Sequence, residues 1–356
     1  MMTILFFMLP TVVWPAGLDK DIPQWMKDQI NQDFARFERN GITQEAIKQT
    51  LFEAPNTGLA RFKILNNRVS YEFDDSSAYP QQENMYNSLL YRAEQMKRCF
   101  NKLANVIPLP NIDFIVCMHD RTHIETNYSP IFVFAKKMGS RQVLIPDFEA
   151  LTSHKKIYDS ILKANNKNTW ESKVQKAFWR GATTGGIFTT QQWQSFPRSK
   201  LVLASLNFPD LLDAKFTQLC QEAENNTEVT SHLELMGNSV SPESSLRYKY
   251  LIDVDGNSCS YSRCYWTLLA NSVQLKQVSD NIQWYYSALK PYEHYIPIKQ
   301  DMSNLIAQIE WAINHDAESH LIADNSTSFV KNNLRRRQIY KYLYLVLIKY
   351  SQLQRW

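Results

Sequence analysis

The stretch YKYLIDVDGNSCSYSRCYWTLLANSVQLKQ, residues 248–277, decides the fold class. Its first nine residues, 248–256, read as a strand that stops at Gly256. SRCYWTLLAN, residues 262–271, reads as a helix, and SVQLKQ, residues 272–277, as a second strand. Strand, short helix and strand at this spacing form a βαβ unit, whose crossover makes the two strands parallel. The chain is therefore expected to be α/β.

The same stretch offers two chemistries. Alternation along YLIDVDG puts Asp253 and Asp255 on one strand face, where a carboxylate pair can hold a divalent metal beside a nucleotide. A calcium loop counted from Asp253 is excluded, because its sixth position is Ser258 rather than Gly and its twelfth is Cys264 rather than Glu. Two solvated or capping acids at a strand end are the preferred reading. The second chemistry lies just downstream. Gly256 turns the chain, Ser258, Ser260 and Ser262 supply hydroxyls, and Arg263 falls in the first turn of the helix. A cation at the positive end of a helix dipole needs a reason, and a diphosphate supplies one. A surface arginine paired with a nearby acid is the other reading.

FWRGATTGG, residues 178–186, repeats the theme as an apolar strand ending in Arg180, with Gly181 permitting a close backbone approach and Thr183 and Thr184 adding hydroxyls. Arginine suits bidentate phosphate recognition, and no P-loop is present. Two arginine-bearing loops at strand ends point jointly to a nucleotide diphosphate at the edge of a parallel sheet. Upstream, IDFIVCMHD (112–120) reads as a buried parallel strand that delivers Asp120 to a cleft, as a general base or as a turn-capping acid. His119 and His123 leave a strand rather than share a helix face, so a zinc pair is not expected there. PIFVFAKK (130–137) and QVLIPDF (142–148) read as further strands, RFKILNNRVSYEF (61–73) as a hairpin turning at Asn66-Asn67, and 83–103 as a helix. Trp25, Ile30, Phe34 and Phe37 predict an amphipathic helix between Pro23 and about Leu59, and helices are expected at 302–316 and 328–356. LKPYEHYIPIKQDMSNL (289–305) is an aromatic loop entering a helix, in which Tyr292 and His294 either contact a base or sugar or simply pack.

Bulk composition bounds the rest. At 356 residues two domains are expected, and a net charge of +4 gives no argument for nucleic acid. Five scattered cysteines with no C-x-x-C argue against a disulfide framework or zinc and for a reducing compartment. MMTILFFMLPTVVWPAG is of signal-peptide length but lacks a preceding cation, so residues 1–20 read as a signal, an anchor or a buried segment. The expected division is 21–165, an acceptor-side α/β domain; 166–326, a nucleotide-sugar domain; and 327–356, a C-terminal helix, with 161–173 as the connection. Triplets at Asn127, Asn225 and Asn325 are glycosylation acceptors only in a secreted chain.

FWRGATTG, residues 248–277 and YYSALKPYEHYIPIKQDMSNL, in that order, resemble glycosyltransferase family 90, which includes capsule-associated and lipopolysaccharide-modifying transferases and Rumi-like protein O-glucosyltransferases. The resemblance covers most of 178–305. It implies a GT-B fold, two Rossmann-like domains facing a cleft with a C-terminal helix packing back on the first. It implies inverting, metal-independent transfer of a glucose- or xylose-type sugar from a UDP-sugar co-substrate, with no cofactor and no metal. By position, Asp120 matches the family's catalytic base, and Arg180 and Arg263 its diphosphate-binding arginines, with Gly181, Ser260 and Ser262 beside them. Asp120 is followed by Arg121-Thr122, where protein-glucosylating members carry an aromatic residue and a proline. On that departure the expected acceptor is lipopolysaccharide or capsule glycan, in the cytoplasm at the inner membrane face; for the basic final helix, packing back on the first domain is preferred over a peripheral contact with anionic lipid. The alternatives are a protein acceptor in a secretory compartment, a non-catalytic nucleotide- or glycan-binding module, and a metal-dependent nucleotide enzyme using Asp253 and Asp255.

Overall fold

The structure is a computed structural model that describes residues 22–55, 57–73, 83–120, 124–125, 128–222 and 232–356. The N-terminal apolar segment, Arg121-Thr122, His123, Asn127 and the triplet at Asn225 lie outside the described residues.

The first helical region is two helices rather than one: α1 (Gln24–Phe34), extended by a 3-10 turn (Ala35–Phe37), and α2 (Gln44–Glu53). Gly41 breaks it. Its φ is +69°, and a Cβ there would lie 2.8 Å from the Leu353 carbonyl oxygen, so glycine lets the C-terminal chain cross. Thr43 then caps α2, its hydroxyl accepting from the Ala46 N–H. The hairpin β1 (Leu59–Leu65) and β2 (Arg68–Glu72) follows as read. Asn66 and Asn67 have φ of 49° and 63°, the positive pair that a two-residue hairpin turn demands. Next come α3 (Glu83–Ala104), β3 (Ile112–Cys117), β4 (Ile131–Val133), β5 (Lys136–Lys137), β6 (Val143–Leu144), α4 (Phe148–Thr152) and α5 (His154–Asn165). The sheet order is β2-β1-β3-β4-β6. Only β3, β4 and β6 are parallel, whereas β1 is antiparallel to both β2 and β3. The first half is thus a mixed sheet, because the tight Asn-Asn turn commits the hairpin to antiparallel pairing. The expected connection at 161–173 begins inside α5 and ends in a 3-10 turn, Trp170–Ser172.

The second half holds β7 (Val174–Ala182), α6 (Pro197–Asn207), β8 (Leu212–Gln218), α7 (Pro242–Ser245), β9 (Tyr248–Asp253), α8 (Ser262–Leu268), β10 (Val273–Gln277), β11 (Asn281–Ile282) and β12 (Ile296–Ile298). Helices α9 (Leu305–Asn314), α10 (Asp316–Asn333) and α11 (Arg336–Leu353) complete the chain. Its sheet, β12-β10-β9-β7-β8, is parallel throughout. The strand order reverses between β7 and β9, and open parallel sheets bind ligands outside the carboxyl ends of strands at such a reversal. Alternation along the strands splits the core: Phe178 and Leu251 join the cluster shared with the first half, and Trp179, Tyr250 and Ile252 the cluster on the other face.

Three features join the halves. Helix α11 lies on the first half, where the Tyr350 hydroxyl donates to the Asp113 carbonyl at 2.6 Å. The Tyr350 ring meets Phe132 at 5.5 Å, Phe114 at 6.1 Å and Phe34 at 6.4 Å. Strand β5 pairs with β11 across the seam, and the Met138 N–H donates to the Asp280 carbonyl at 2.7 Å. The buried His154 meets both the Tyr265 hydroxyl and the Leu334 carbonyl. Among the described residues no helix is long and apolar enough to cross a membrane.

Candidate active site

Arg180 stands near the C-terminal end of β7, and Arg263 in the first turn of α8, the helix that follows β9. Arg263 donates from Nη2 to the Arg180 carbonyl at 2.6 Å. Its guanidinium lies 5.8 Å from the Trp179 ring and 6.0 Å from Trp266. Burial pushes its pKa down, and Asp253 works against that shift. Arg263 makes no ion pair among the described residues. Arg180 differs: its Nη2 pairs with Asp213 Oδ1 at 2.8 Å, and its Nη1 donates to the Trp179 and Asp213 carbonyls. The Arg180 guanidinium sits 4.5 Å over the Phe178 ring, and its buried Nε has no partner. Both arginines line a cavity of about 210 Å³ with Phe178, Val240, Leu251 and Trp266. A wider opening of about 590 Å³ runs along β8 beside Lys176, Asp213 and Arg247, but it includes neither Arg263 nor Asp120.

Asp120 is brought to the same region by the loop between β9 and α8. Asn257 Nδ2 lies 3.3 Å from Asp120 Oδ2, and the hydroxyls of Ser258 and Tyr261 both donate to the Asp120 carbonyl. The loop strains its own backbone to do this. Tyr261 has φ 49° and ψ −117°, outside the regions a tyrosine ordinarily takes. Asn257 Oδ1 also accepts from the Gly185 N–H at 3.3 Å, so one amide bridges Asp120 and the Gly-rich loop. On its other side Asp120 pairs with Arg92.

Several residues assigned to a ligand by the sequence have other partners. The close approach that Gly181 permits is to a protein ring: a Cβ there would lie 2.4 Å from the Trp179 indole. Ser260 donates to Asp253 instead of pointing at the arginines, and Ser262 borders a separate small cavity with Asp147 and His154. Thr183 is fully buried, its Oγ1 accepting from the Cys220 N–H at 2.8 Å, which pins the Gly-rich loop to the chain after β8. Tyr292 bonds Gln308 and packs on Trp311, while His294 accepts from the Lys290 N–H and packs on Phe329. Neither makes a hydrogen bond or ring contact with Asp120 or the two arginines. The acid pair is held by protein groups too. Asp253 takes Ser260 and lies 3.6 Å from Lys276, and Asp255 accepts from Ser279 at 2.5 Å and Asn281 at 2.8 Å. Burial raises the Asp255 pKa, with Lys276 opposing. No cluster of three metal-ligating side chains occurs among the described residues.

Sequence reasoning missed Arg198. Its Nε donates to the Asp255 carbonyl at 2.9 Å and its Nη1 to the Ala182 carbonyl at 2.8 Å, knitting the two strand-end loops together. Burial first, then the nearby Arg263, lowers its pKa to about 10. The available signal was the one that exposed Arg263, a cation directly after the Pro197 that opens a helix.

A family model described as Glycosyl transferase family 90 matches residues 20–356. The chain is 28% identical over 340 residues to "Protein O-glucosyltransferase 3" of Homo sapiens, covering 92% of this chain and 61% of that protein. It is 28% identical over 262 residues to "Protein O-glucosyltransferase 2" of Danio rerio, covering 71% of this chain and 49% of that protein. Against "Protein O-glucosyltransferase 1" of Homo sapiens the identity is 22% over 385 residues, covering 98% and 91%. The chain therefore spans about three fifths of the first of these and about half of the second.

Proposed function

Because the chain belongs to glycosyltransferase family 90, we propose that it is an inverting transferase moving a glucose-type sugar from a UDP-sugar to a protein hydroxyl. One observation carries this reading. The Asn257–Tyr261 loop brings the Asp120 carboxylate to the strand-order reversal where Arg263 stands with no carboxylate partner among the described residues. The names of the relatives favour the protein hydroxyl over the lipopolysaccharide or capsule acceptor expected from the sequence. In this scheme the halves face each other in the GT-B manner.

The acceptor oxygen attacks the anomeric carbon as its proton passes to Asp120. The bond from that carbon to the diphosphate oxygen breaks on the opposite face, which inverts the centre. Negative charge gathers on the departing UDP, and Arg263 and Arg180 stabilise it in place of a metal. The cavity between Arg180, Arg263 and Trp266 takes part of the nucleotide.

Asp120→Asn tests the scheme. The variant should bind UDP with unchanged affinity by calorimetry and lose transfer from UDP-glucose. Turnover at the wild-type rate removes Asp120 from the mechanism. Peptide and oligosaccharide acceptors, run side by side with a panel of UDP-sugars, decide the acceptor class and the sugar.

A further inference from the structure

The two oxygens of the Asp120 carboxylate are not equivalent. Arg92 Nη1 reaches Oδ1 at 2.9 Å, a short charge-assisted contact. The same nitrogen donates to the Met118 carbonyl at 2.8 Å, and the guanidinium lies 5.3 Å over the Phe148 ring. Met118 and Asp120 bracket the exit from β3, so this one side chain fixes both the course of the chain there and the direction of the acid. The Arg92 side chain is itself 19% exposed and the Asp120 side chain 33%, so the acid is the more open partner. Among the described residues, Oδ2 meets only the neutral amide of Asn257, at 3.3 Å. That length is at the weak end for a hydrogen bond.

We infer that Arg92 is a positioning residue for the proposed reaction: it clamps Asp120 Oδ1 from the first half and leaves Oδ2, which faces the loop of the second half, as the atom that takes the acceptor proton. The inference rests on the reading of Asp120 as the base. Arg92 acts through that acid and touches neither substrate. Three parts of the fold meet in the arrangement: α3 supplies the clamp, β3 the acid and the β9–α8 loop the other edge of the site.

A clamp and a structural ion pair predict different kinetics. A clamp acts on the orientation of the base during transfer, where a displacement on the order of 1 Å can cost about 10²-fold. Arg92→Met should therefore lower kcat by roughly 10- to 10²-fold with KM for the UDP-sugar and Kd for UDP changed less than about twofold. Arg92→Lys, which keeps the charge but not the fork, should recover part of that loss. Wild-type kcat in Arg92→Met overturns the inference, as does a joint loss of kcat, UDP affinity and Tm. If Arg92→Met does not fold, Arg92→Gln and Arg92→Lys carry the test, and equal kcat in those two rejects the clamp. Asp120→Asn, assayed in parallel, separates the two ideas. A dead Asp120→Asn with an unimpaired Arg92→Met removes only the clamp, and an active Asp120→Asn removes the base itself.

Discussion

The two halves solve the same problem, placing charged groups at strand ends, by different means. The second half uses a regular parallel sheet whose strand order reverses between β7 and β9, with Arg180 near the end of β7 and Arg263 in the first turn of the helix that follows β9. In the first half the parallel strands are short, β4 having three residues and β6 two, and an antiparallel hairpin forms one edge. It contributes one acid, and that acid is held from outside its own sheet by Arg92, Asn257, Ser258 and Tyr261. A site residue on a regular sheet is positioned by topology; one on an irregular sheet needs side chains recruited from elsewhere.

The sharpest way to break the comparison is to detach the C-terminal helix. Tyr350→Ala empties an aromatic pocket in the first half and should cost about 3–5 kcal/mol. Denaturant unfolding followed separately by first-half and second-half probes checks it. Loss confined to the first half supports unequal halves, and a single shared transition would make them one cooperative unit.

Next in size is the pair of arginines. Arg263→Ala should lower kcat/KM about 10²-fold or more, as the loss of an oxyanion donor does. Arg180→Ala should cost less, because Asp213 already neutralises that guanidinium. Measured kcat/KM with UDP-glucose ranks them, and a larger loss at Arg180 reverses the assignment.

The seam itself should respond to pH. Burial lowers the His154 pKa to about 4, below its ordinary value of 6.5. The folded state therefore needs the neutral ring. The stability this group supports is complete above pH 6.5 and is lost as pH falls toward 4, reaching roughly 1–2 kcal/mol of loss by pH 5. A Tm-against-pH curve for His154→Phe that is as steep as wild type between those values would remove His154 from the acid response.

The smallest expected effect is none. Ser260 and Lys276 face the two oxygens of Asp253, and Ser279 and Asn281 both hold Oδ2 of Asp255, so EDTA should leave the transfer rate unchanged. A fall in rate that added divalent metal restores would bring the acid pair back into the chemistry.

Legibility in the sequence follows the same division. The βαβ unit at 248–277 could be read because apolar periodicity and turn residues agree there. Arg263 stood out because a cation in a first helical turn conflicts with the helix dipole. The two-helix start was missed because Gly41 meets the Leu353 carbonyl, more than three hundred residues away in sequence, and nothing local announces that crossing. Arg92 was unreadable for a related reason. One position before Ala93 on the apolar face of α3, it looks like a long side chain reaching past the core to water. At Ser260, Ser262 and Gly181 a hydroxyl or a glycine beside an arginine suggests a ligand, and the sequence does not announce that Asp253, a small separate cavity and the Trp179 ring lie next to them.

The strap of β5 against β11 has a kinetic consequence. Any motion that separates the halves at this point must first break the backbone bonds of that pairing, including Met138 N–H to the Asp280 carbonyl. Asn281 of the strap also donates to Asp255, so its registry is tied to the strand end below the site. Amide hydrogen exchange at Met138 should therefore clock the parting of the seam, going no faster than the seam opens and, on the proposed reading, slowing when UDP is added.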